Sequence, residues 1–178
     1  MTSDQIDERS GAANIRRSVT VEGVRLRFAA AHMATLGADL EPLHGHNYQV
    51  SARVEGALTD DRWVIDFSAL KRIVREACEH LDHRFLLQAR SPLLEIRQTS
   101  DAWTIRHGER SYRFPAADVA VLPIENTTAE LLAQWLWEQA TEALTAEGRH
   151  STLTRLAIDV EEMPGQSGGY ARDLAGRP

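Results

Sequence analysis

The sequence contains almost no cysteine and almost no lysine. Cys78 is the only cysteine among 178 residues, so the chain cannot form an internal disulfide, which is usual for proteins of a reducing compartment. Lys71 is the only lysine, and arginine supplies the remaining positive charge. The net charge is −6 with neutral histidines, which gives no electrostatic basis for binding nucleic acid or an anionic membrane. We expect neither partner.

Long apolar stretches are absent as well. No run approaches the roughly 18 residues of a membrane-spanning helix. The first residues, MTSDQIDERSGAANIRR, have no apolar core of the kind that signal peptides carry. These features predict a cytoplasmic protein. A chain of this length accommodates one domain, which we place at residues 18–170. Residues 1–17 and 171–178 are predicted to be N-terminal and C-terminal tails, the first of them flexible.

Alternation of polar and apolar residues predicts three strands, at residues 19–32, 46–58 and 151–163. The first two are expected to pair as an antiparallel hairpin with a long connection, which includes a loop at residues 37–42. The glycine-rich segment after residue 163 is expected to be loose.

Apolar residues at helical spacing predict two helices. The first covers residues 66–83 and has Asp66 as its N-cap. The second covers residues 127–148, and Thr127 and Glu130 are spaced as a capping box at its start. Strands and helices in this order predict an α+β fold.

A long segment, residues 91–121, separates the two helices. Residues 102–114 within it alternate and predict a hairpin with a polar turn at His107 and Gly108. Four apolar side chains are expected to pack this hairpin down: Trp103, Ile105, Tyr112 and Phe114. Three arginines of the hairpin could contact a phosphate chain, although arginines on exposed strands more often face solvent; they are Arg106, Arg110 and Arg113.

Three histidines are placed so that they converge if the first two strands pair. His44 and His46 lie two apart on a strand and therefore point to the same face, and His32 ends the preceding strand. Antiparallel pairing brings the end of one strand beside the start of the next. Three histidines with an open fourth position are typical of catalytic zinc. The alternative is that all three are ordinary surface or turn histidines.

Six segments occur in an order that resembles one known family. They are FAAAH, LHGHNYQV, VIDFSALK, LDHRFLL, NTTAELLAQWLW and IDVEEM. Together they resemble the 6-pyruvoyl tetrahydropterin synthase / 6-carboxy-tetrahydropterin synthase family over residues 19–170, apart from the hairpin segment. The resemblance implies a tunnelling fold, with an antiparallel four-stranded sheet and two helices on one face. It also implies assembly as a hexamer of two stacked trimers.

The same resemblance implies a metal and a substrate. His32, His44 and His46 would bind zinc, and the usual substrate is 7,8-dihydroneopterin triphosphate. In the family, the metal holds the side-chain hydroxyls of this substrate and lowers their pKa, so that a proton can be removed near neutral pH.

Further site residues follow from the family motifs. Asp82 and His83 match an acid/base pair in which a carboxylate orients an imidazole, although the two residues could instead cap a helix end. Glu162 matches the glutamate that anchors the pterin by accepting two adjacent N–H groups, unless it is an edge-strand charge. Thr128 and Glu130 match a triplet whose threonine could hold the pterin, although Glu130 has a sufficient role in the helix cap.

Position 40 departs from the family pattern. Most members have a cysteine four residues before the first histidine of the HGH motif, and this chain has Leu40, which cannot transfer a proton. Cys78 lies within a helix pattern and is expected to be buried. Glu41 gives the pattern E-x-x-H-G-H, which resembles a folate-pathway branch in which a glutamate replaces the cysteine. A carboxylate can act as a general base, whereas the alternative is a solvated loop charge.

The sequence therefore predicts a zinc-dependent lyase. It would cleave the side chain of 7,8-dihydroneopterin triphosphate between its first two carbons and give 6-hydroxymethyl-7,8-dihydropterin for folate biosynthesis. Two synthase activities share the zinc and the anchor: 6-carboxy-tetrahydropterin synthase, which serves queuosine and other deazaguanines, and 6-pyruvoyl tetrahydropterin synthase. The missing cysteine disfavours both. A third alternative is a family member that binds a pterin without turnover.

Overall fold

The computed structural model of the protein describes residues 16–149 and 151–174. The helices in these ranges are α1 (Phe67–Glu79) and α2 (Ala129–Ala146), and a 3₁₀ turn covers Ala116–Asp118. The strands are β1 (Arg17–Val21), β2 (Arg27–His32), β3 (Thr35–Leu36), β4 (Asp39–Leu40), β5 (His44–Gly56), β6 (Arg84–Gln88), β7 (Glu95–Gln98), β8 (Ala102–His107), β9 (Arg110–Pro115), β10 (Val119–Leu122), β11 (Leu153–Met163) and β12 (Gln166–Asp173). Neither helix is long and apolar enough to cross a membrane.

The main sheet contains seven strands. Its order is β10–β6–β2–β5–β11–β12, and β1 also pairs with β5. The expected antiparallel four-stranded sheet is present as β2, β5, β11 and β12. Two short strands that we did not predict, β6 and β10, extend it through parallel pairs, so the complete sheet is mixed. Both helices pack on one face of this sheet, as expected.

The single strand expected at residues 19–32 is in fact two strands. β1 pairs with residues 52–56 and β2 with residues 44–49, so both lie along the same edge of β5. A turn separates them, with Gly23 at a φ of 113°. The sequence pattern conceals this break because Val21 and Leu26, on either side of the turn, are both buried.

The glycine-rich segment after β11 forms a strand instead of the loose segment that we expected. This strand, β12, pairs with β11 in antiparallel register. Close packing explains one of its glycines, because a Cβ on Gly168 would lie 2.8 Å from both the Cβ of Ala129 and the backbone nitrogen of Glu130. The glycine therefore lets the start of α2 lie directly on β12.

The limits of the domain change accordingly. The domain continues beyond residue 170 to Asp173, so three residues of the C-terminal tail expected at 171–178 belong to β12. Residues 175–178 lie outside the described residues, as do residues 1–15 of the expected N-terminal tail. Arg17, the last residue assigned to that N-terminal tail, begins β1.

The first helix begins as predicted and ends early. Asp66 caps α1 by accepting hydrogen bonds from the backbone N–H groups of Ser68 and Ala69. The helix ends at Glu79 and not at residue 83. The chain leaves the helix because residues 82 and 83 bond to the backbone of Ala29 on β2.

The start of the second helix differs by one residue from the prediction. Thr128 is the N-cap of α2, and its Oγ1 accepts a hydrogen bond from the N–H of Leu131 at 3.4 Å. The predicted capping box of Thr127 and Glu130 is therefore wrong. Thr127 is fully buried and supports a histidine of the candidate site instead.

Apolar side chains pack on both faces of the sheet. The main core lies between the sheet and the helices and includes the buried residues Trp135 and Trp137. The predicted hairpin is present as β8 and β9, and β7 adds a third strand to it; we call β7–β9 the inserted sheet. This sheet packs on the other face and encloses a second cluster, the minor core, whose buried members are Met33, Leu40, Phe85, Leu87, Ile105 and Val119. Trp103, Tyr112 and Phe114 pack against it, as expected.

Trp137 provides a test of the main core. Its indole N–H donates to the carbonyl oxygen of Leu156 on β11 at 2.9 Å. We expect Trp137→Phe to lower the free energy of unfolding by about 1–3 kcal/mol, because a buried carbonyl loses its donor. Trp135→Phe is the control, because the Trp135 indole N–H makes no hydrogen bond among the described residues. It should lower the free energy of unfolding by less. Equal losses in urea unfolding would show that this hydrogen bond is unimportant.

Candidate metal centre

The pairing of β2 with β5 brings the three predicted histidines together. His32 lies directly opposite His44, and His46 lies opposite Ala30 two residues further along. The Nε2 atoms of His32 and His44 are 3.2 Å apart. One potential ligand atom from each of the three rings lies within 4.8 Å of the others. The three imidazoles therefore converge, and they do so at the end of two paired strands.

The outer nitrogens of two rings are held by backbone carbonyls. Nδ1 of His32 lies 3.1 Å from both the carbonyl oxygen and Oγ1 of Thr127. Nδ1 of His44 lies 2.8 Å from the carbonyl oxygen of Pro42. Because a carbonyl oxygen can only accept, each Nδ1 carries the hydrogen and donates it. The Nε2 atom of each ring is then directed at the centre of the cluster.

A metal ion fits this arrangement. Burial is the main cause that lowers the pKa of His32 to about 4, and the nearby His44 and His46 lower it further. The His32 ring is therefore neutral at neutral pH. Its Nε2 lone pair faces the corresponding nitrogen of His44, and a cation between them would satisfy both. Two nitrogens on a tetrahedral zinc ion lie about 3.3 Å apart, close to the observed separation. The three imidazoles are therefore able to hold a metal ion that prefers nitrogen ligands in tetrahedral geometry.

Zinc binding should stabilise the fold, because the ion would join nitrogens on two neighbouring strands. We expect zinc added to chelator-treated protein to raise the midpoint of thermal unfolding. His32→Ala should remove this increase, whereas His80→Ala, which changes an exposed histidine at the end of α1, should not. A midpoint that is the same with and without zinc in the unsubstituted protein would contradict the metal site.

The glycine between the two strand histidines is required by the spacing of the strands. A Cβ on Gly45 would lie 2.7 Å from the carbonyl oxygen of Ala30 on β2. Real Cβ atoms do not approach a backbone oxygen so closely, so any larger residue would push β2 away from β5. Such a displacement would separate His32 from His44.

Gly45→Ala should therefore weaken zinc binding although it removes no ligand. We expect a lower zinc affinity, measured by competition with a chromophoric chelator, because the ligands on β2 and β5 would move apart. Asn47→Ala changes an exposed residue two positions along the same strand and serves as the control. Equal affinities for the Gly45 and Asn47 variants would show that strand separation does not control the site.

Glu41 lies beside the histidine cluster. One of its carboxylate oxygens, Oε2, is 3.9 Å from Nε2 of His44. The side chain of the preceding residue, Leu40, is buried in the minor core. Because successive side chains of an extended chain point to opposite sides, the burial of Leu40 directs Glu41 toward the histidines. The Glu41 carboxylate is thus close enough to contact a molecule that is bound at the same centre.

A β-bulge determines where Glu162 lies. The pairing of β11 with β12 shifts register between Glu161 and Met163, which leaves Glu162 between two paired residues. A bulge of this kind redirects a side chain. The neighbouring Glu161 accepts a hydrogen bond from the N–H of Gly165 at 2.8 Å and so supports the turn. The two adjacent glutamates therefore have different surroundings.

The electrostatic neighbours of Glu162 place it near the histidine cluster. Burial is the largest influence and raises the pKa of Glu162. The imidazoles of His46 and His44 lower this pKa, whereas the carboxylates of Glu130 and Glu41 raise it. The net effect is a raised pKa. Glu130, at the start of α2, is exposed. The structure thus places Glu162 within electrostatic reach of two histidines of the cluster and of two further predicted carboxylates.

The segment Asn126–Thr127–Thr128 joins three parts of the site. The side chain of Asn126 accepts from the N–H of Thr35 at 2.8 Å and donates to its carbonyl oxygen at 2.9 Å, so it holds β3. Thr127 holds His32, and Thr128 caps α2. Three consecutive residues therefore connect the loop that carries Glu41, the buried histidine and the second helix.

Sequence reasoning missed two of the supporting residues. Gln88 is fully buried, donates to the carbonyl oxygen of Met33 at 2.8 Å and accepts a bond from Oγ1 of Thr127 at 3.4 Å. Asn126 was not singled out either. No local pattern marks these roles, because each residue acts on a part of the chain far away in sequence.

Asp82 and His83 form the predicted pair but do not join the cluster within one chain. Nδ1 of His83 is 2.8 Å from Oδ2 of Asp82, and Oδ1 of Asp82 accepts the N–H of Ala29 at 2.7 Å. Burial acts to raise the pKa of Asp82, but the bonds from Ala29 and His83 outweigh it and the pKa is lowered. The His83 side chain is 83% exposed.

The Asp82–His83 pair lies beside β2, where both residues bond to the backbone of Ala29. His83 lines a cavity of about 520 Å³ together with Ala29, Ala31 and His46. Alternation along β2 directs these two alanines to the face opposite His32. Among the described residues, no hydrogen bond or ion pair connects the Asp82–His83 pair to the three histidines or to Glu41.

Cys78 does not take part in the site. Its side chain is buried in the main core, as expected. Burial raises the pKa of its thiol to about 12, so that no thiolate forms near neutral pH. The chain therefore has no cysteine available for proton transfer.

Comparison with known proteins identifies a matching family model and several similar proteins. The family model for 6-pyruvoyl tetrahydropterin synthase matches residues 23–173. A Methanocaldococcus jannaschii protein, provisionally named 6-carboxy-5,6,7,8-tetrahydropterin synthase, is 30% identical over 150 residues, which are 84% of this chain and 91% of that protein. The dihydroneopterin monophosphate aldolase of Pyrococcus furiosus is 39% identical over 62 residues, which are 35% of this chain and 53% of that protein.

Solved structures share the fold. The crystal structure of 6-pyruvoyl tetrahydropterin synthase from Plasmodium vivax matches with a TM-score of 0.83 and 32% identity, over 90% of this chain and 100% of that chain. A second structure of the same Plasmodium vivax enzyme, at 31% identity and the same TM-score and coverage, carries alanine in place of a glutamate described as a catalytic residue. The predicted tunnelling fold is confirmed by these matches.

Proposed function

Because the chain belongs to the 6-pyruvoyl tetrahydropterin synthase family of pterin-processing enzymes, we propose that it is a zinc-dependent lyase acting on 7,8-dihydroneopterin triphosphate. The proposed product is 6-hydroxymethyl-7,8-dihydropterin. One observation carries this choice: the carboxylate of Glu41 is 3.9 Å from Nε2 of His44, while the side chain of Leu40 is turned away into the minor core.

The proposed reaction is a retro-aldol cleavage. Glu41 takes the proton from the hydroxyl on the second side-chain carbon, and the bond between the first and second carbons breaks. The second carbon becomes the aldehyde of glycolaldehyde triphosphate. The electron pair enters the C=N bond of the dihydropterin ring, and the first carbon is then protonated. The two products account for every atom of the substrate.

His32, His44 and His46 would hold the zinc ion. When bound, zinc supplies a Lewis acid that lowers the pKa of the side-chain hydroxyls. The carbonyls of Thr127 and Pro42 keep His32 and His44 in the orientation that such binding requires.

Glu162 is proposed to anchor the pterin. Its carboxylate would accept the ring N–H and the adjacent amino group together, which is a bidentate match. The bulge that displaces it from the ladder and its nearness to His46 support this role. Thr128 and Glu130, at the start of α2, are proposed as further pterin contacts. The hydroxyl of Thr128 can still donate after it has accepted the cap bond.

The Asp82–His83 pair is proposed as the second proton-transfer group, which returns a proton to the first carbon. Among the described residues, no hydrogen bond or ion pair joins the pair to the cluster of its own chain, and His83 is exposed. We therefore propose that the pair serves a neighbouring subunit in a hexamer of two stacked trimers. Such an assembly, acting in the cytoplasm, would have sites formed between chains.

Two features of relatives support glutamate chemistry. In the Plasmodium vivax enzyme, a glutamate is described as a catalytic residue. The Pyrococcus furiosus relative is named as an aldolase of dihydroneopterin monophosphate, so cleavage of a related side chain occurs among similar proteins. Neither name fixes the product of this chain.

A second candidate function is 6-carboxy-tetrahydropterin synthase, in the pathway to queuosine and other deazaguanines. The 30% identity to the Methanocaldococcus jannaschii protein over 150 residues favours it. A further alternative is 6-pyruvoyl tetrahydropterin synthase, the activity for which the Plasmodium vivax enzyme is named. Both would need a group that replaces the missing cysteine. A family member that binds a pterin without turnover would show no product with any metal.

The role of Glu41 is tested by its amide variant. We expect Glu41→Gln to lower kcat on 7,8-dihydroneopterin triphosphate by about 100-fold or more, because the amide cannot accept the proton. Zinc content should stay unchanged, since the histidines are intact. The matched control is Asp39→Asn, an exposed carboxylate two residues earlier in the same loop. Full activity of the zinc-loaded Glu41 variant would refute the proposed base.

A further inference from the structure

We propose that Arg110 is a positioning residue that fixes Glu41 beside the histidine cluster. Arg110 begins β9 of the inserted sheet, and Glu41 is 69 residues earlier in the chain. The inference rests on the proposed function, because it assigns to the inserted sheet a task in the same reaction.

The guanidinium of Arg110 bonds to the carbonyl groups of the two peptides on either side of Glu41. One terminal nitrogen donates to the carbonyl oxygen of Glu41 at 3.3 Å, and the other donates to the carbonyl oxygen of Leu40. The fixed fork of a guanidinium suits two neighbouring acceptors, and charged donors form stronger hydrogen bonds than neutral ones. Arg110 therefore restrains two consecutive peptide groups at once.

The minor core makes this restraint rigid. Leu40 is 4% exposed and packs in the minor core with Ile105 of β8. Phe85 of β6 stacks on Phe114 of β9 with ring centroids 4.3 Å apart, so the inserted sheet is attached to the main sheet beside the loop. The same sheet thus holds the side chain of Leu40 and, through Arg110, its carbonyl oxygen.

The other side of the loop is also held. The N–H of Glu41 donates to the carbonyl oxygen of Ala34 at 2.9 Å, and Asn126 bonds to both backbone groups of Thr35. The backbone of Glu41 is therefore fixed at its nitrogen by Ala34, the residue before β3, and at its oxygen by Arg110. With the backbone held on both sides, the carboxylate has only side-chain torsions left to vary.

A second arginine of the same strand offers a natural comparison. Arg113 is exposed, and its guanidinium pairs with Asp101 at 2.8 Å within the inserted sheet. It has the same charge and lies on the same strand, but no hydrogen bond joins it to the Glu41 loop among the described residues. Replacement of Arg113 therefore controls for the loss of a positive charge from the inserted sheet.

If Arg110 acts through Glu41, its loss should lower kcat more than it changes KM. We expect Arg110→Ala to reduce kcat about 10- to 100-fold, the size of effect that a misplaced catalytic group produces. Arg110→Lys keeps the charge but cannot span both carbonyls, so its kcat should lie between those of the unsubstituted protein and of Arg110→Ala. Arg113→Ala should keep the unsubstituted kcat. Zinc content should be equal in all four proteins.

The decisive experiment combines a double-mutant cycle with amide exchange on the zinc-loaded protein. In the Glu41→Gln background, Arg110→Ala should cause no further loss of kcat, because the group it positions is already inactive. Amide hydrogen exchange of residues 35–43 should be faster in both Arg110 variants than in Arg113→Ala. Arg110→Lys keeps the test valid if the alanine variant does not fold.

Two results would overturn the proposal. One is unchanged exchange of residues 35–43 in Arg110→Lys, which would show that the guanidinium does not hold the loop. The other concerns the double-mutant cycle. If Arg110→Ala lowered kcat by the same factor in the unsubstituted protein and in the Glu41→Gln variant, Arg110 would not act through Glu41. Absence of lyase activity in the unsubstituted protein would refute the proposed function by itself, and the exchange result would still decide whether Arg110 holds the loop.

Discussion

The antiparallel pairing of β2 with β5 is the constraint on which the rest of the site depends. It places His32 opposite His44 and leaves their Nε2 atoms 3.2 Å apart. Gly45 permits this approach, because any Cβ there would meet the backbone of β2. The residues that hold the other nitrogens of the rings then select the tautomer that a metal needs. Strand pairing, a missing side chain and two carbonyls together produce one cation-binding geometry.

Everything else at the centre is brought there by segments that are distant in sequence. Asn126, Thr127 and Thr128 connect the loop, the buried histidine and α2. A bulge in β11 leaves Glu162 out of the ladder and within electrostatic reach of His46 and His44, and the inserted sheet holds the loop of Glu41 from the opposite face. The inserted sheet therefore connects the outer face of the main sheet to the base proposed for the reaction.

Local signals predicted much of this arrangement, and distant contacts account for what was missed. Asp66 as a helix cap and Cys78 as a buried residue follow from patterns within a few positions, and both occur. The parallel strands β6 and β10 escaped prediction because short strands that pair with distant partners leave little periodicity. Thr127 was assigned to a helix cap, whereas its tertiary bond to His32 outweighs that local preference. Gly168 suggested a loose tail but permits close packing against α2.

The most direct test of the central claim is the product formed by the zinc-loaded protein. The protein would be incubated with 7,8-dihydroneopterin triphosphate, and the products would be identified by mass. We expect 6-hydroxymethyl-7,8-dihydropterin, because Glu41 is the carboxylate beside the cluster and no cysteine is available. A pyruvoyl or carboxy product, or bound substrate with no product, would contradict the assignment of a glutamate-based lyase.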